Sequence, residues 1–259
     1  MKERLLFVEN LCVSFSMEGM EIQAVQDVCF DLFPGESVGI VGESGSGKST
    51  IVQAITRLSH ATKVEGSIVW EGVNLNDLKN SILGTKIGMV FQDPLSSLNP
   101  TMKISQQIEE GMIYHKLANR KEARQKSLEL LQLVDISDPH LRLAQYPHEL
   151  SGGMRQRVAI AIALACNPRL LIADEPTSAL DVTTQAQVLK LIQQIQIKRN
   201  MSLLLITHDL KVVAEICDRI LVLHTGKIVE QGPVQEILLS PKHPYTQMLI
   251  KAQKWGQKE

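Results

Sequence analysis

The segment Gly42-Glu43-Ser44-Gly45-Ser46-Gly47-Lys48-Ser49 constrains the fold more than any other part of the chain. It has the pattern G-x-x-x-x-G-K-[ST], follows the apolar run Ser37 to Val41 directly, and leads into a helix-like stretch, Thr50 to Leu58. Strand, glycine-rich turn and helix in that order let the backbone curl until successive N–H groups point at phosphate oxygens. The helix N-terminus adds positive potential, Lys48 supplies a charge and Ser49 a hydroxyl suited to Mg²⁺. The expected phosphate-binding set is Gly42, Glu43, Ser44, Gly45, Ser46, Gly47, Lys48, Ser49 and Thr50.

Around this loop the apolar pattern changes along the chain. Strand-length runs at Leu5 to Phe15, Ala24 to Leu32, Ser37 to Val41 and Gly66 to Trp70 make the first third β-rich. From Ile104 to Val134, and again from Ser151 to Cys166, the spacing is helical, which predicts a helical subdomain. Its charged stretch, Asn119 to Lys126, reads as a solvated helix face, with a binding patch as the alternative. Apolar runs at Leu170 to Ala173, Leu203 to Ile206 and Ile220 to Leu223 then alternate with helix-like Val182 to Lys198 and Asp209 to Cys217, so the sheet should be parallel. Thr225-Gly226 suggests a closing hairpin.

A second, acidic element follows from the same logic. Leu170 to Ala173 ends in Asp174-Glu175, which sets two carboxylates at the carboxyl edge of a parallel sheet, where an α/β fold binds ligands. Asp174 is then suited to hold a nucleotide-bound metal or its water, and Glu175 to act as base on the water that attacks the γ-phosphate. An exposed acidic strand end with no further role is the plain alternative.

A P-loop core alone also fits a small-molecule kinase or a GTPase, so the narrower reading rests on other residues. Leu150-Ser151-Gly152-Gly153-Met154-Arg155-Gln156-Arg157 is a second glycine-bearing turn opening a helix, again an anion-site geometry. With it the chain resembles the ABC transporter ATPases, whose LSGG signature completes the nucleotide site of the opposite subunit. The resemblance extends to Gln92 after Ile87 to Phe91, to Ser178-Ala179-Leu180-Asp181, and to His208 after Leu203 to Ile206, all in family order. Phe15 matches the aromatic that stacks on adenine in that family, or else is a plain core aromatic.

What the resemblance implies is a P-loop NTPase of RecA-like core with an N-terminal antiparallel β subdomain and an inserted helical subdomain. Residues 1–92 and 168–240 would form the ATP-binding core, 93–167 the helical part and 241–259 a short C-terminal extension. ATP and Mg²⁺ are the implied ligands. Glu175 and His208 would be catalytic; Ser49, Gln92 and Asp174 would attend the metal; Ser151, Gly152, Gly153 and Asp181 would serve the nucleotide.

Phe91-Gln92-Asp93-Pro94 through Ser97-Leu98-Asn99-Pro100, Ala179-Leu180-Asp181-Val182-Thr183 with Gln185-Ala186-Gln187, and His243-Pro244-Tyr245-Thr246 narrow the likeness to the peptide/nickel importer group. Met154, with Ala163-Leu164-Ala165-Cys166, resembles the first of the two paired ATPase subunits of those systems. Peptide-importing members typically run well past the HPYT segment, whereas shorter nickel-importing members end near Glu259, so both substrates stay open. The implied partners are integral-membrane permease subunits, a second ATPase subunit in a heterodimer or homodimer, and indirectly an extracytoplasmic solute-binding protein.

Composition agrees with that picture. Lys and Arg total 27 against 28 acidic residues, a net charge of -1, so nothing draws the chain to nucleic acid in bulk. The longest apolar stretch, Val158 to Cys166, falls well short of the roughly 20 residues that a membrane span needs. Leu5 to Val8 is too short for a signal peptide, and the expected location is the cytoplasmic face of the membrane. Cys12, Cys29, Cys166 and Cys217 lack ligand spacing and read as buried, reduced thiols. A soluble ABC ATPase acting on ribosomes or DNA is the competing class, but those relatives resemble tandem cassettes or carry long insertions that this chain lacks.

Overall fold

The computed structural model describes residues 3–17, 20–78 and 82–253; the last part of the expected C-terminal extension, 254–259, lies outside them. The chain divides into two compact units, Met1–Ser81 with Ser202–Glu259, and Ile82–Met201. The first unit opens with β1 (Leu6–Met17), β2 (Met20–Leu32), β3 (Ser37–Val41), α1 (Lys48–Thr56), β4 (Lys63–Trp70) and β5 (Val73–Asn74). The second holds β6 (Ile87–Val90), α2 (Pro94–Ser97), α3 (Ile104–Tyr114), α4 (Arg120–Leu133), α5 (Pro139–Arg142), α6 (Gly152–Leu164), β7 (Leu170–Asp174) and α7 (Val182–Arg199). The first unit then resumes with β8 (Ser202–Thr207), α8 (Leu210–Ile216), β9 (Arg219–His224), β10 (Lys227–Pro233), α9 (Val234–Leu239) and α10 (Pro244–Ala252).

In the first unit β3 is buried along its whole length. Parallel neighbours flank it on both sides, with Ser37 opposite Leu203 of β8 and Val38 opposite Arg219 of β9. Strands in such a position are covered on both faces, which is why SVGIV and SLLLIT are nearly continuous apolar runs without alternation. The start of β9 is pinned to β3 by the Asp218 carboxylate, which accepts from the Ser37 N–H at 2.8 Å and the Ser37 hydroxyl at 2.6 Å. Gly39 lets α8 lie close to the sheet, since a Cβ there would sit 2.8 Å from Val213. The expected hairpin is present: β10 pairs antiparallel with β9, and both turn residues, Thr225 (φ 44) and Gly226 (φ 80), adopt the left-handed conformation of a type I′ turn.

The second sheet of this unit is antiparallel, in the order β2-β1-β4-β5, as expected for the β subdomain. Its ladders shift register near Asn10 and Asp27, both left-handed, and the freed amides donate to sulfur: Asn10 N–H to Cys29 Sγ at 3.1 Å and Asp27 N–H to Cys12 Sγ at 3.2 Å. This corrects the expectation of four buried thiols. All four cysteines are free, but only Cys217 is buried, and its burial pushes the thiol pKa well up. Cys12 and Cys29 are half-buried because they serve bulge amides at the sheet, and Cys166 is half-buried too.

The second unit pairs β6 with β7 in parallel, Ile87 opposite Leu170 through Val90 opposite Ala173. Against β6 lies α6, whose close approach depends on Gly88: a Cβ there would meet the Ala163 carbonyl oxygen at 2.3 Å. Val158, Ile160, Ala161 and Leu164 of α6 are buried with Ile104, Ile108 and Met112 of α3 and Leu130 and Leu131 of α4. At about 1.5–3 kcal/mol for each large aliphatic side chain, this packing rather than helix propensity holds the helices in place. The helical interval 104–134 is divided after Tyr114. Lys116 turns left-handed (φ 57), and Asn119 with Glu122 forms a reciprocal capping box that starts α4. The charged stretch Asn119 to Lys126 is thus a capped helix start, exposed except at Ala123.

Candidate functional site

The glycine loop leaves β3 at Val41 and enters α1 at Lys48. Gly42 passes so near β9 that a Cβ would lie 2.2 Å from the Leu223 carbonyl oxygen. Gly45 (φ 79) has open space around it, and Gly47 (φ 103) is the N-cap of α1, 2.7 Å from the Ala24 carbonyl by the same measure. No side chain caps this helix, and the first turn of a helix directs its amide groups and positive potential at the space before it. Lys48 is only 6% exposed, and its ammonium donates to the carbonyls of Gly42 (2.9 Å) and Glu43 (2.8 Å). Ser46 carries a buried hydroxyl with no hydrogen-bond partner, while its carbonyl accepts from the Gly226 N–H at 3.0 Å. Glu43, Ser44 and Ser49 are exposed. An uncapped helix start, a polar atom without a partner and a buried ammonium make a cradle that fits a polyphosphate.

Substituting Gly42 by Ala is expected to lower the melting midpoint by several degrees and to abolish ATP binding. The added carbon must displace the β9 backbone; overpacking of this kind costs about 1–3 kcal/mol, and each kcal/mol shifts a chain of roughly this size by about 2–4 °C. An unchanged midpoint in a thermal melt would contradict the close approach.

Two further expected residues lie in the same unit. His208 follows β8 directly and is exposed. Thr207 Oγ1 accepts from the Asp209 N–H at 3.1 Å, and Asp209 caps α8 by accepting from the Lys211 N–H at 2.8 Å, so the residues on either side are fixed. Phe15 sits near the end of β1 opposite Ile22, half-buried, which leaves part of its ring surface open.

In the second unit β6 and β7 run side by side and deliver their carboxyl ends together. Gln92, exposed and two residues beyond β6, donates from Nε2 to Glu175 Oε2 at 3.3 Å. Asp174 is the last residue of β7 and half-buried. Glu175 has φ 45, a conformation that costs a non-glycine residue free energy and recurs where side-chain aim matters more than backbone comfort. The signature turn opens α6: Ser151 caps it by accepting from the Met154 N–H at 3.3 Å. Its two glycines differ, because a Cβ on Gly153 would press on the Thr184 methyl at 2.7 Å whereas the nearest atom to one on Gly152 is 3.8 Å away. Asp181, exposed, accepts from the Thr184 N–H at 3.0 Å as the N-cap of α7. That bond holds its carboxyl below the usual carboxylate range. The cap therefore contributes above the ordinary carboxylate pKa and weakens as pH falls through the lowered value.

The structure thus brings Gln92 onto Glu175 and assembles Gly42 through Thr50 into one loop. Sequence reading missed the groups that buttress that loop from afar. Gly226 bonds to Ser46, and Tyr245 Oη accepts from the Glu43 N–H at 3.2 Å across 202 residues of chain. No spacing rule signals either contact, although Tyr245 belongs to the HPYT segment.

Comparison with known proteins agrees with the geometry. Residues 25–178 match the ABC transporter family model. The chain is 51% identical over 254 residues, 95% of its length and 71% of the relative's, to the oligopeptide transport ATP-binding protein OppD of Bacillus subtilis. To the dipeptide transport ATP-binding protein DppD of the same organism it is 49% identical, covering 96% of this chain and 76% of that one. Among solved structures, the dimeric post-hydrolysis state of the ATP-binding cassette MJ0796 bound to ADP and Pi superposes with a TM-score of 0.78 at 31% identity, over 88% of this chain and 98% of that one. The chain belongs to the ABC transporter family, and it has the ABC ATPase fold. It is an ATP-binding, ATP-hydrolysing subunit of that family, and no described helix is long and apolar enough to cross a membrane.

Proposed function

We propose that this chain powers an importer of small peptides, from the cytoplasmic face of the membrane, against integral-membrane permease subunits and beside a second ATPase subunit. The observation that carries the reading is the 51% identity to an oligopeptide transport ATP-binding protein over 95% of the chain. The relatives named above are transport ATP-binding proteins, which favours this reading over a soluble, non-transport ATPase. A heterodimer accords with the first-subunit features at Met154 and Ala163 to Cys166, and a solute-binding protein outside the membrane would deliver the cargo.

The residue roles follow the family order. The amides of Gly45 to Thr50 and the Lys48 ammonium bind the triphosphate, and Phe15 stacks on adenine. Ser49, Gln92 and Asp174 would hold Mg²⁺, which when bound neutralises charge on the β- and γ-phosphates. Among the described residues no group of three or more His, Cys, Asp or Glu could hold a metal. Glu175 takes a proton from the attacking water, and His208 contacts the γ-phosphate. Ser151, Gly152, Gly153 and Asp181 serve the nucleotide of the partner cassette, so that two cassettes closing head to tail over ATP drive the permease. Residues 1–92 with 168–240 act as the ATP-binding core and 93–167 as the helical subdomain. Phe91 and Leu95, 43% and 59% exposed on either side of Gln92, offer apolar anchors to the membrane subunits.

Uptake of a labelled dipeptide and of radioactive nickel, measured side by side in cells lacking the chain and in cells where it is restored, tests the proposal. Restored dipeptide uptake alone is expected. Restored nickel uptake alone would move the cargo to the metal, and no change in either would remove the importer reading.

A further inference from the structure

The HPYT segment marks a group of relatives, yet none of the roles above uses it. It forms the start of α10, with His243 as N-cap, its Nδ1 accepting from the Tyr245 N–H at 3.2 Å, and Pro244 at the first helical position. Glu230 of β10 anchors the approach by accepting from the N–H groups of Lys242 (2.7 Å) and His243 (3.1 Å). Tyr245, Thr246, Leu249 and Ile250 are buried, so the helix is packed along its length.

Both ends of α10 carry a polar side chain that reaches a nucleotide loop. At the first end Tyr245 stacks on His224, ring centroids 3.8 Å apart at 26°, and its hydroxyl accepts the Glu43 N–H of the glycine loop. At the other end the Gln253 amide closes on the His208 loop in two directions. Its Oε1 accepts the Leu210 N–H at 2.8 Å, a first-turn donor of α8 that no intrahelical carbonyl can reach, and its Nε2 donates to the His208 carbonyl. The two lie eight positions apart, a helical rise of about 12 Å.

We propose that α10 is a brace that sets the glycine loop and the His208 loop in one fixed relation, with Tyr245 and Gln253 as its positioning residues. A hydrogen bond to a backbone N–H fixes the aim of a peptide plane. Through Glu43 the brace sets the first turn of the loop whose later amides take the phosphates. Through the His208 carbonyl and the Leu210 N–H it holds the backbone on both sides of Asp209. The inference rests on the proposed roles of those two loops, and it adds a helix outside the nucleotide motifs to what determines their geometry.

Two variants of the full chain test it. Tyr245→Phe keeps the ring on His224 and removes only the acceptor; ATP affinity should fall by about 2- to 10-fold, the range for one neutral hydrogen bond, with little change in melting midpoint. Gln253→Leu should speed amide exchange at Leu210 by a similar factor without changing ATP affinity, and should lower turnover in the assembled transporter. Should that variant fold poorly, Gln253→Glu keeps the acceptor and loses the donor to His208, and the same lowered turnover is expected. Wild-type ATP affinity in Tyr245→Phe, or wild-type exchange at Leu210 in Gln253→Leu, would overturn the brace, because each end is required. His208→Ala measured in parallel separates the readings. Full turnover there would remove the role of His208 and leave exchange and affinity to judge the brace.

Discussion

Glu175→Gln is expected to slow ATP turnover by about 10²–10⁴-fold while ATP still binds, the range for loss of a general base. The substitution is nearly isosteric and retains a side-chain carbonyl oxygen that can accept the Gln92 Nε2–H, now at 3.3 Å from the carboxylate. What disappears is the capacity to take a proton from water. The left-handed backbone at position 175 is unchanged by the exchange, so the side chain keeps its aim. Phosphate release and nucleotide titration, run on the same preparation, read the two halves of the expectation. Wild-type phosphate release would refute the base role, and lost ATP affinity would place Glu175 in binding instead.

Lys48→Ala should weaken ATP binding by about 10- to 150-fold, because a hydrogen bond to a charged group contributes roughly 1.5–3 kcal/mol. In the present conformation the ammonium is nearly buried and donates to the Gly42 and Glu43 carbonyls, which ties the start of α1 to the beginning of the loop. Arginine should not restore the affinity, since its planar fork does not fit a point-charge position enclosed by two carbonyls. Titration with ATP checks both variants, and unchanged affinity in Lys48→Ala would count against the cradle.

Much of this was legible in the amino-acid order because it depends on local physics. Gly42 through Ser49 declares a turn that only glycines permit, and SVGIV and LLIAD read as strands buried on both faces. Thr225-Gly226 announced a two-residue hairpin that the backbone adopts with both φ values positive. Long-range or purely conformational features were not legible. The left-handed φ of Glu175 is a backbone conformation that its residue type does not favour, the thiols of Cys12 and Cys29 accept from bulge amides, and the Tyr245 bond to Glu43 joins residues far apart in sequence. Nor does helical spacing alone say where one helix stops, and the break between α3 and α4 came from Lys116 and the Asn119 cap.

The two signature glycines differ in what they touch. Gly153 is held against α7 through Thr184, and Asp181 caps that same helix, so the signature turn and the start of α7 form one packed group.

The most direct test of the central claim, that ATP hydrolysis by this chain drives peptide import, is labelled-dipeptide uptake in cells deleted for the chain and supplied with either wild type or Glu175→Gln at equal abundance. Wild type should restore uptake and Glu175→Gln should not, with both forms expected in the membrane fraction. Equal uptake with both forms, or uptake unaffected by the deletion, would contradict it.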